Sequence, residues 1–445
     1  MIERLYVAMR GIASLSHAPA LSIAARRALS TTVEPGPRRL VRDFIHDSLY
    51  HPTEGYFSKG PSVGTPHAPI DFASLGNELA YFNRVQALYT SLQVSWLTPV
   101  EIFQPHYGAA VAECVAARWR RAGAPGGLRI FEIGGGTGTL AQNVLDHLRA
   151  NHPSIYADCR YSIVEISAAL AATQAARLGA DSGHARRFDV QRRDATRADG
   201  WPAHPGPCFV LAMEVLDNLA HDLVTRRGGA TWRQVSVEGG ADGDAASPPR
   251  EVEGEVADEH VARALAAWLH AAPPPRRGLV RRAAARLLPA ALAPREAAFL
   301  PTAALRLLDT LHAMLPGHAL LAADFDSLPE VSIRGVNAPL VATTEKGSTR
   351  DHGTYLVPRG TADIFFPTDF RLLAELHAEA GCGAARPRPT CSSSVKTAEF
   401  MGIWAAPGAT RTRSGYEPLL SDYSNTSVFL GGCPELCDPP LGERV

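Results

Sequence analysis

Short apolar runs alternate with segments of helical periodicity through the middle of the chain. Leu140, Val144, Leu145 and Leu148 recur at the spacing of one helix face, a few residues after an apolar run. The apolar runs have the length of buried strands, and several end in an acidic residue; they are Ile130–Ile133, Tyr161–Glu165, Pro207–Leu211 and Ala319–Phe325. Strands that alternate with helices in this way predict an α/β fold with a parallel sheet.

A cluster of glycines follows the first of these strands. The apolar run reaches Glu132, and Gly134, Gly136 and Gly138 follow before the helix begins. Glycines allow the backbone to turn sharply and let main-chain N–H groups at a helix start approach a ligand. The sequence therefore predicts a cofactor-binding loop here.

Two cofactor classes fit this loop. The dinucleotide fingerprint G-x-G-x-x-G/A can be placed on Gly136, Gly138 and Ala141. The pattern acidic-x-G-x-G-x-G fits Glu132 and the glycines at 134, 136 and 138, and it resembles the first motif of Rossmann-like S-adenosylmethionine methyltransferases. A carboxylate repels an anionic pyrophosphate but attracts a methionyl ammonium or sulfonium. The loop therefore favours S-adenosylmethionine, with a nicotinamide or flavin dinucleotide as the alternative.

Acidic residues also follow later strands. Glu165 ends the second strand, where a carboxylate can accept hydrogen bonds from the ribose of either cofactor class, and Ser167 is a candidate N-cap for the next helix. Asp194 follows a third strand and has the right place to accept from an adenine amino group. The alternative for Asp194 is an ordinary loop acid.

Glu214 and Asp217 follow the strand Pro207–Leu211. They are three residues apart, so on a helical turn both carboxylates would face the same way. Ligands of open α/β sheets bind at the carboxyl ends of the strands, which makes the two acids a candidate catalytic pair. The alternative is a solvated helix start stabilised by its acids.

The composition is that of a globular enzyme. The 445 residues are 46% hydrophobic and 20% charged, with a net charge of −1, so the chain can bury a sizeable core. A general nucleic-acid binder would carry a strong basic excess, and a membrane helix needs about 18 or more consecutive apolar residues. We therefore expect no nucleic-acid partner and no membrane span.

The amino terminus differs from the rest of the chain. Residues 1–32 contain four arginines, several serines and threonines, and a single acid, Glu3. Apolar residues fall along one face of a helix, as in an import signal. The segment therefore predicts a mitochondrial transit peptide, with a basic disordered leader as the alternative. We expect the mature fold to begin by about Leu40.

Cysteines and histidines show no metal-binding spacing. There are seven cysteines without a C-x-x-C pair, and sixteen histidines without an H-E-x-x-H or similar pattern. Cys433 and Cys437, with no histidine nearby in sequence, would make a poor site. The sequence predicts neither a disulfide framework nor a metal site.

The chain divides coarsely into segments. We predict a helical cap over residues 40–122, a cofactor-binding half over 126–224, an insertion over 225–294, the remainder of the catalytic domain over 295–410, and a C-terminal tail over 411–445.

Five motifs in this order resemble the MidA-like family: YHPTEGYFS (Tyr50–Ser58), FEIGGGTGTL (Phe131–Leu140), YSIVEIS (Tyr161–Ser167), MEVLDNL (Met213–Leu219) and DIFFPTDF (Asp363–Phe370). Members of that family are mitochondrial protein arginine methyltransferases that assist respiratory complex I assembly. The resemblance implies a Rossmann-like class I methyltransferase fold with S-adenosyl-L-methionine as cofactor. It also implies a matrix location and, as substrate, an arginine of a complex I subunit that is dimethylated symmetrically.

The motifs depart from the family pattern at two places. The family's D-F-x-T-x-P-E stretch followed by F-G-E is matched only in shortened form by Asp71–Glu78, from which Asp71, Phe72, Gly76 and Glu78 carry over. Asp71 and Glu78 are secondary candidates for closing over the cofactor. The family's N-E-x-x-D-A-L becomes Met213–Leu219, which keeps both carboxylates and loses the leading amide.

Methyl transfer to arginine suits these carboxylates. The displacement is in line, so the donor methyl and acceptor nitrogen are held together with water excluded. A guanidinium stays protonated, with a pKa above about 12, and carboxylates orient it. Glu214 and Asp217 are of the right type, acting on a protein substrate; a homodimer is compatible with the sequence. A dinucleotide-dependent oxidoreductase and a noncatalytic assembly scaffold remain alternative functions.

Overall fold

The computed structural model describes residues 38–59, 63–92, 94, 96–123, 125–179, 182–239, 248–271, 293–329, 331–345, 348–383 and 390–443. The predicted transit peptide, residues 1–32, lies outside these described residues. Within them, no helix combines the length and apolar composition that crossing a bilayer requires.

A seven-stranded sheet forms the centre of the fold. Across the sheet its strands are β14 (Cys391–Lys396), β15 (Thr426–Gly432), β10 (Gly317–Phe325), β5 (Pro207–Met213), β2 (Arg129–Ile133), β3 (Arg160–Glu165) and β4 (Phe188–Arg192). The strands from β10 to β4 are parallel, whereas β15 is antiparallel to both of its neighbours. The predicted α/β fold class is confirmed.

Helices cover both faces of this sheet. In chain order the helices of the described residues are α1 (Val41–Tyr50), α2 (Glu78–Leu92), α3 (Pro99–Ile102), α4 (His106–Arg121), α5 (Thr139–Asn151), α6 (Pro153–Ala157), α7 (Ala168–Arg177), α8 (Glu259–Ala271), α9 (Thr302–Met314), α10 (Phe370–Gly383), α11 (Thr397–Trp404), α12 (Pro418–Ser421) and α13 (Pro434–Cys437).

Alternate residues of the central strands enter two separate hydrophobic cores. Ile130 and Ile163 pack on one face, in the core that contains the apolar sides of α4 and α5. Phe131 and Val210 pack on the other face, in the core that contains α1, α9 and α10. A strand buried on both faces needs apolar residues at successive positions, which is why these strands appear in the sequence as short continuous apolar runs.

The order of the strands reverses beside β2. The chain runs from β2 outward to β3 and β4, and then returns to β5 on the other side of β2. In an open α/β sheet such a reversal leaves a crevice at the carboxyl ends of the strands. Glu132 and Gly134, at the end of β2, therefore lie where the topology predicts a ligand.

Two smaller antiparallel sheets flank the central one. The larger contains β1 (Arg39–Leu40), β7 (Arg233–Glu238), β6 (Asp222–Arg227) and β9 (Arg295–Leu300), with β8 (Arg250–Gly254) paired to β7. The smaller contains β12 (Ser348–Asp351), β11 (Leu340–Glu345) and β13 (Asp363–Phe365). The described part of the predicted insertion, 225–294, is thus integrated into a sheet with strands from the cap and from the second half. The segment predicted as a C-terminal tail supplies β15, which lies inside the central sheet.

Candidate active site

A cavity lies at the carboxyl ends of the parallel strands, where the strand order reverses. The strand ends that line it are Glu132–Thr137, Val164–Ser167, Arg193–Thr196 and Met213–Val215. The N-terminal cap contributes further lining side chains, among them His46, Tyr50, Phe57 and Glu101. The cavity therefore combines the predicted strand-end residues with a cover from a distant part of the chain.

The glycine loop forms one wall of the cavity, and its backbone conformation explains its glycines. Gly134, Gly136 and Gly138 have φ values of 64°, 52° and 85°, which residues with a Cβ rarely adopt. A Cβ on Gly134 would lie 2.9 Å from Val215 Cγ2, whereas a Cβ on Gly136 would meet nothing within 4 Å. Gly136 therefore leaves open space beside its backbone. Gly138 is the N-cap of α5 and is not part of the cavity lining.

Glu132 lines the cavity with a buried carboxyl group. Tyr161 donates a hydrogen bond of 2.8 Å to Glu132 Oε2. Burial raises the pKa of Glu132 to about 8; the Tyr161 hydrogen bond opposes this rise, and the nearby charge of Glu165 adds to it. A cation in the cavity would favour the ionised carboxylate.

Glu165 is connected to the glycine loop through Gln174. Gln174 Nε2 lies 2.9 Å from both Glu165 Oε2 and the Gly136 carbonyl oxygen, and it donates to each. The Ser167 N–H donates to Glu165 Oε1 at 2.8 Å. Burial raises the pKa of Glu165, and the hydrogen bond from Ser167 opposes the rise. Each carboxylate oxygen keeps a second lone pair, so Glu165 can still accept from ligand hydroxyls.

Asp194 lines the cavity just beyond the end of β4. Its Oδ1 accepts hydrogen bonds from the Thr196 N–H at 2.9 Å and the Thr196 hydroxyl at 2.8 Å. Its Oδ2 lies 4.0 Å from His46 Nε2. The carboxylate is therefore held in place by a local turn and retains acceptor capacity toward the cavity.

Sequence reasoning missed Glu101, a buried acid of the cap. Its side chain is 2% exposed, and the Thr137 hydroxyl of the glycine loop donates to Glu101 Oε1 at 2.6 Å. Its Oε2 is buried and has no hydrogen-bond partner among the described residues. Burial raises the pKa of Glu101. An orphaned carboxylate oxygen in a cavity wall suits a ligand that brings a cation or a hydrogen-bond donor.

The sequence does contain a signal for Glu101. Thr98 and Glu101 have the T-x-x-E spacing of a capping box, and Thr98 caps α3 by accepting from the Glu101 N–H at 3.4 Å. The same Thr-to-Glu spacing occurs in the T-x-P-E element of the MidA-like family.

Asp71, predicted to close over the cofactor, lies away from the cavity. It is exposed and absent from the cavity lining, and its carboxylate accepts from the Ser74 N–H at 3.3 Å to cap a short turn. The structure therefore places Asp71 outside the cavity lining, and its role in cofactor binding stays a prediction.

Glu214 lines the cavity in an unusual backbone conformation. Its φ is 54°, in the left-handed region, which costs an L-residue about 1–2 kcal/mol. Its N–H donates to the Ala323 carbonyl oxygen at 2.8 Å, which holds the turn against β10. Burial, followed by the charge of Asp324, raises the pKa of Glu214 well above its usual value. Backbone strain of this kind concentrates at functional sites.

The prediction that Asp217 faces the same way as Glu214 on a helical turn is wrong. The left-handed φ of Glu214 interrupts the helical geometry, and the chain continues as an irregular turn. Asp324 Oδ2 accepts from the N–H groups of Leu216 and Asp217 at 2.8 and 3.1 Å, which fixes that turn. Asp217 is buried and lies outside the cavity lining.

Asp217 belongs instead to a buried acidic cluster with Asp324 and Asp363. Burial raises the pKa of Asp324 and of Asp363 to about 7 and that of Asp217 well above its usual value. Asn218 Nδ2 donates to Asp363 Oδ1 at 3.0 Å. The charge of Asp324 acts on both Asp217 and Glu214, so the cluster is electrostatically linked to the cavity wall.

Comparison with known proteins decides which cofactor class this cavity serves. A family model of S-adenosyl-L-methionine-dependent methyltransferases matches residues 110–388. The chain belongs to this family. The match includes the glycine loop and the strand ends that line the cavity. S-adenosyl-L-methionine is thus the cofactor, and the dinucleotide alternative is set aside.

Individual relatives agree with this assignment. The protein arginine methyltransferase NDUFAF7 homolog, mitochondrial, of Schizosaccharomyces pombe is 22% identical over 362 residues, which cover 75% of this chain and 74% of the relative. A crystal structure from Burkholderia thailandensis with bound S-adenosyl-homocysteine has 19% identity and a TM-score of 0.59, covering 91% of each chain. A second structure from that organism has 19% identity and a TM-score of 0.55, covering 92% of this chain and 90% of its own. The fold and the MidA-like resemblance are confirmed.

The residues of the cavity fit this cofactor. S-adenosylmethionine carries a positive charge at its methionyl end, and the cavity offers the buried carboxyl groups of Glu101 and Glu132. The orphaned Oε2 of Glu101 and the open space beside Gly136 are both features that a ligand would fill. The chemistry of the lining therefore agrees with the family assignment.

Proposed function

We propose that this chain methylates arginine side chains of a protein in the mitochondrial matrix, and that its substrate is a subunit of respiratory complex I, dimethylated symmetrically. The name of the Schizosaccharomyces pombe relative supports an arginine acceptor and a mitochondrial location. The motif resemblance supports the complex I substrate. Residues 1–32 would then act as the transit peptide, and the homodimer stays a prediction that light scattering can test.

We assign the cofactor contacts by chemistry. S-adenosylmethionine supplies an activated methyl group on a sulfonium. Glu132 and Glu101 pair with the cationic methionyl end, Glu165 accepts from the ribose hydroxyls, and Asp194 accepts from the adenine amino group. The backbone at Gly136 provides the close approach that a side chain would block.

The proposal of an arginine substrate rests on the position of Glu214. Glu214 lines the cavity and is held by a strained turn, so its backbone is positioned before the substrate arrives. A guanidinium is always protonated and needs a carboxylate to orient it and to draw charge from the attacking nitrogen. The bound guanidinium favours the ionised form of Glu214, whose pKa is raised in the empty cavity, and this carboxylate accepts the proton that the nitrogen loses on methylation. Asp217, outside the lining, is not assigned to the guanidinium.

The test uses the full chain and Glu214→Gln, with Glu255→Gln as the matched control because Glu255 is exposed and outside the cavity. We expect Glu214→Gln to lower methyl transfer to complex I subunits about 100-fold or more while cofactor affinity by calorimetry stays within about twofold. Mass spectrometry of the product identifies symmetric dimethylarginine. Unchanged transfer by Glu214→Gln contradicts the assignment.

The scaffold alternative has a distinct outcome. In that case wild-type protein would bind S-adenosylmethionine, but no complex I subunit would carry a methylation that depends on the chain. Mass spectrometry would give the same result for mitochondria that contain the chain and mitochondria that lack it. This outcome would support a noncatalytic assembly role.

A further inference from the structure

Three histidines from separate elements meet in the interior. His312 lies on α9, His318 near the start of β10, and His377 on α10, and their exposed fractions are 8%, 1% and 1%. Their ring centroids are 4.8 Å apart for His312 and His318, 4.7 Å for His312 and His377, and 5.3 Å for His318 and His377. The rings thus surround a common centre.

Hydrogen bonds set the orientation of these rings. His318 Nδ1 lies 2.8 Å from the Leu315 carbonyl oxygen, which can only accept, so Nδ1 carries the proton and Nε2 carries the lone pair. His318 Nε2 lies 3.2 Å from His377 Nε2. A histidine held through one nitrogen by a carbonyl, with its other nitrogen directed at a shared centre, is the usual arrangement around a bound metal.

The distances agree with tetrahedral zinc. With Zn–N bonds of about 2.0–2.1 Å, two nitrogens of one site lie about 3.3 Å apart and the ring centroids lie about 5 Å apart. The observed values are 3.2 Å for His318 Nε2 to His377 Nε2 and 4.7–5.3 Å for the centroids. One nitrogen of each ring lies within 4.8 Å of those of the other two rings.

A glycine makes room for the cluster. Gly381 lies inside α10, where glycine is unfavourable, and a Cβ there would lie 3.1 Å from His312 Cε1. The helix α10 therefore has no side chain at the point where it packs against the His312 ring.

We propose that His312, His318 and His377 bind one zinc ion that joins α9, β10 and α10, with the fourth position open to a small ligand such as water. An all-imidazole set favours zinc over magnesium or calcium, which prefer oxygen ligands. His318 lies at the amino end of β10 and Asp324 at the carboxyl end, about 20 Å away at strand spacing. The zinc is therefore distant from the cofactor cavity.

The first test needs no variant. The purified full chain, dialysed against zinc and then against buffer, should retain about one zinc per chain by mass spectrometry, and a strong chelator should lower its melting temperature. The chelated chain reloaded with cobalt(II) should show the visible absorption of a tetrahedral complex. A chain that retains no zinc and gives no such absorption overturns the proposal.

The second test locates the ion. His318→Gln should weaken zinc binding about tenfold or more. His152→Gln is the control, because His152 belongs to a separate Glu113–His147–His152 group that could also hold a metal. Zinc content that falls in His152→Gln and not in His318→Gln overturns the assignment. If His318→Gln does not fold, retention of zinc by a folded double variant His147→Gln/His152→Gln supports the buried site, and loss of zinc refutes it.

Discussion

Replacing Glu132 by glutamine tests the electrostatic basis of cofactor binding. Burial raises the pKa of Glu132 to about 8 in the empty cavity, so its carboxyl group is mostly protonated at neutral pH. A cationic methionyl group pairs with the ionised form only. Binding should therefore release a proton from wild-type protein, and Glu132→Gln, which cannot ionise, should lose that release.

The magnitude follows from the pKa. For a pKa of about 8, the ionised fraction of Glu132 rises about ninefold between pH 6 and pH 7, and the affinity for S-adenosylmethionine should rise by the same factor. Tyr161→Phe removes the hydrogen bond that opposes the rise of the Glu132 pKa, so it should move this dependence to higher pH and weaken binding at pH 7.

The assay is titration calorimetry at pH 6 and pH 7, each in two buffers of different ionisation enthalpy, which gives the number of protons released. The wild type should release about one proton more than Glu132→Gln, in agreement with a single linked group. Equal proton release and equal pH dependence for the two proteins would refute the reasoning.

Stability without cofactor provides an independent check. The folded pKa of Glu132 is above the value of about 4.3 expected in the unfolded chain, so between about pH 4.3 and pH 8 the folded state binds more protons. The Glu132 contribution to stability is present below that window and is lost as the pH rises through it. Glu132→Gln should therefore raise the melting temperature of the unliganded chain more at pH 8 than at pH 5.

Three further predictions follow from the same geometry. Gly136→Ala should weaken cofactor binding, measured by calorimetry. Chemical denaturation should show a loss of only about 1–2 kcal/mol of folding free energy, because the φ of 52° is unfavourable for alanine but the added Cβ meets no atom. Asp324→Ala should lower kcat about tenfold or more with little change in KM for the cofactor, because the turn after Glu214 loses two hydrogen bonds; an unchanged kcat would show that Asp324 does not position Glu214. Arg42→Ala should destabilise the fold by about 3–5 kcal/mol in urea denaturation, because it leaves the buried Asp222 without its 2.7 Å ion pair; a loss below about 1 kcal/mol would contradict this.

The sequence predicted the site correctly where candidate ligand-binding residues lie next to strands and helices that have a clear hydrophobic pattern. Glu132 and Glu165 lie at or next to the ends of short, mostly apolar strands, and the glycines follow the first of these strands directly. The strands, their ends and the candidate ligand contacts could therefore all be predicted from nearby residues. Ser167 was predicted as an N-cap and does accept from the Leu170 N–H, at 3.4 Å. Such features depend on neighbours within a few positions.

Features that depend on distant contacts could not be predicted. The left-handed turn at Glu214 is held by Ala323 and Asp324 on β10, more than 100 residues later in the chain. The direction of the Asp217 side chain could therefore not be predicted from its three-residue spacing to Glu214. Glu101 reaches the cavity through cap packing. The three buried histidines occupy positions 312, 318 and 377, a spacing that matches no motif.

The position of β15 has a consequence for how the chain is made. This strand is among the last described elements, yet it lies between β14 and β10 and pairs with β10 along seven residues. During synthesis from the amino end, β10 therefore has an unpaired edge, mostly apolar and buried in the complete fold, until residue 432 has emerged, and such edges promote aggregation. Nascent chains of this protein should depend on chaperones until β15 (Thr426–Gly432) has emerged, and translation products that end before it should be degraded rather than accumulate.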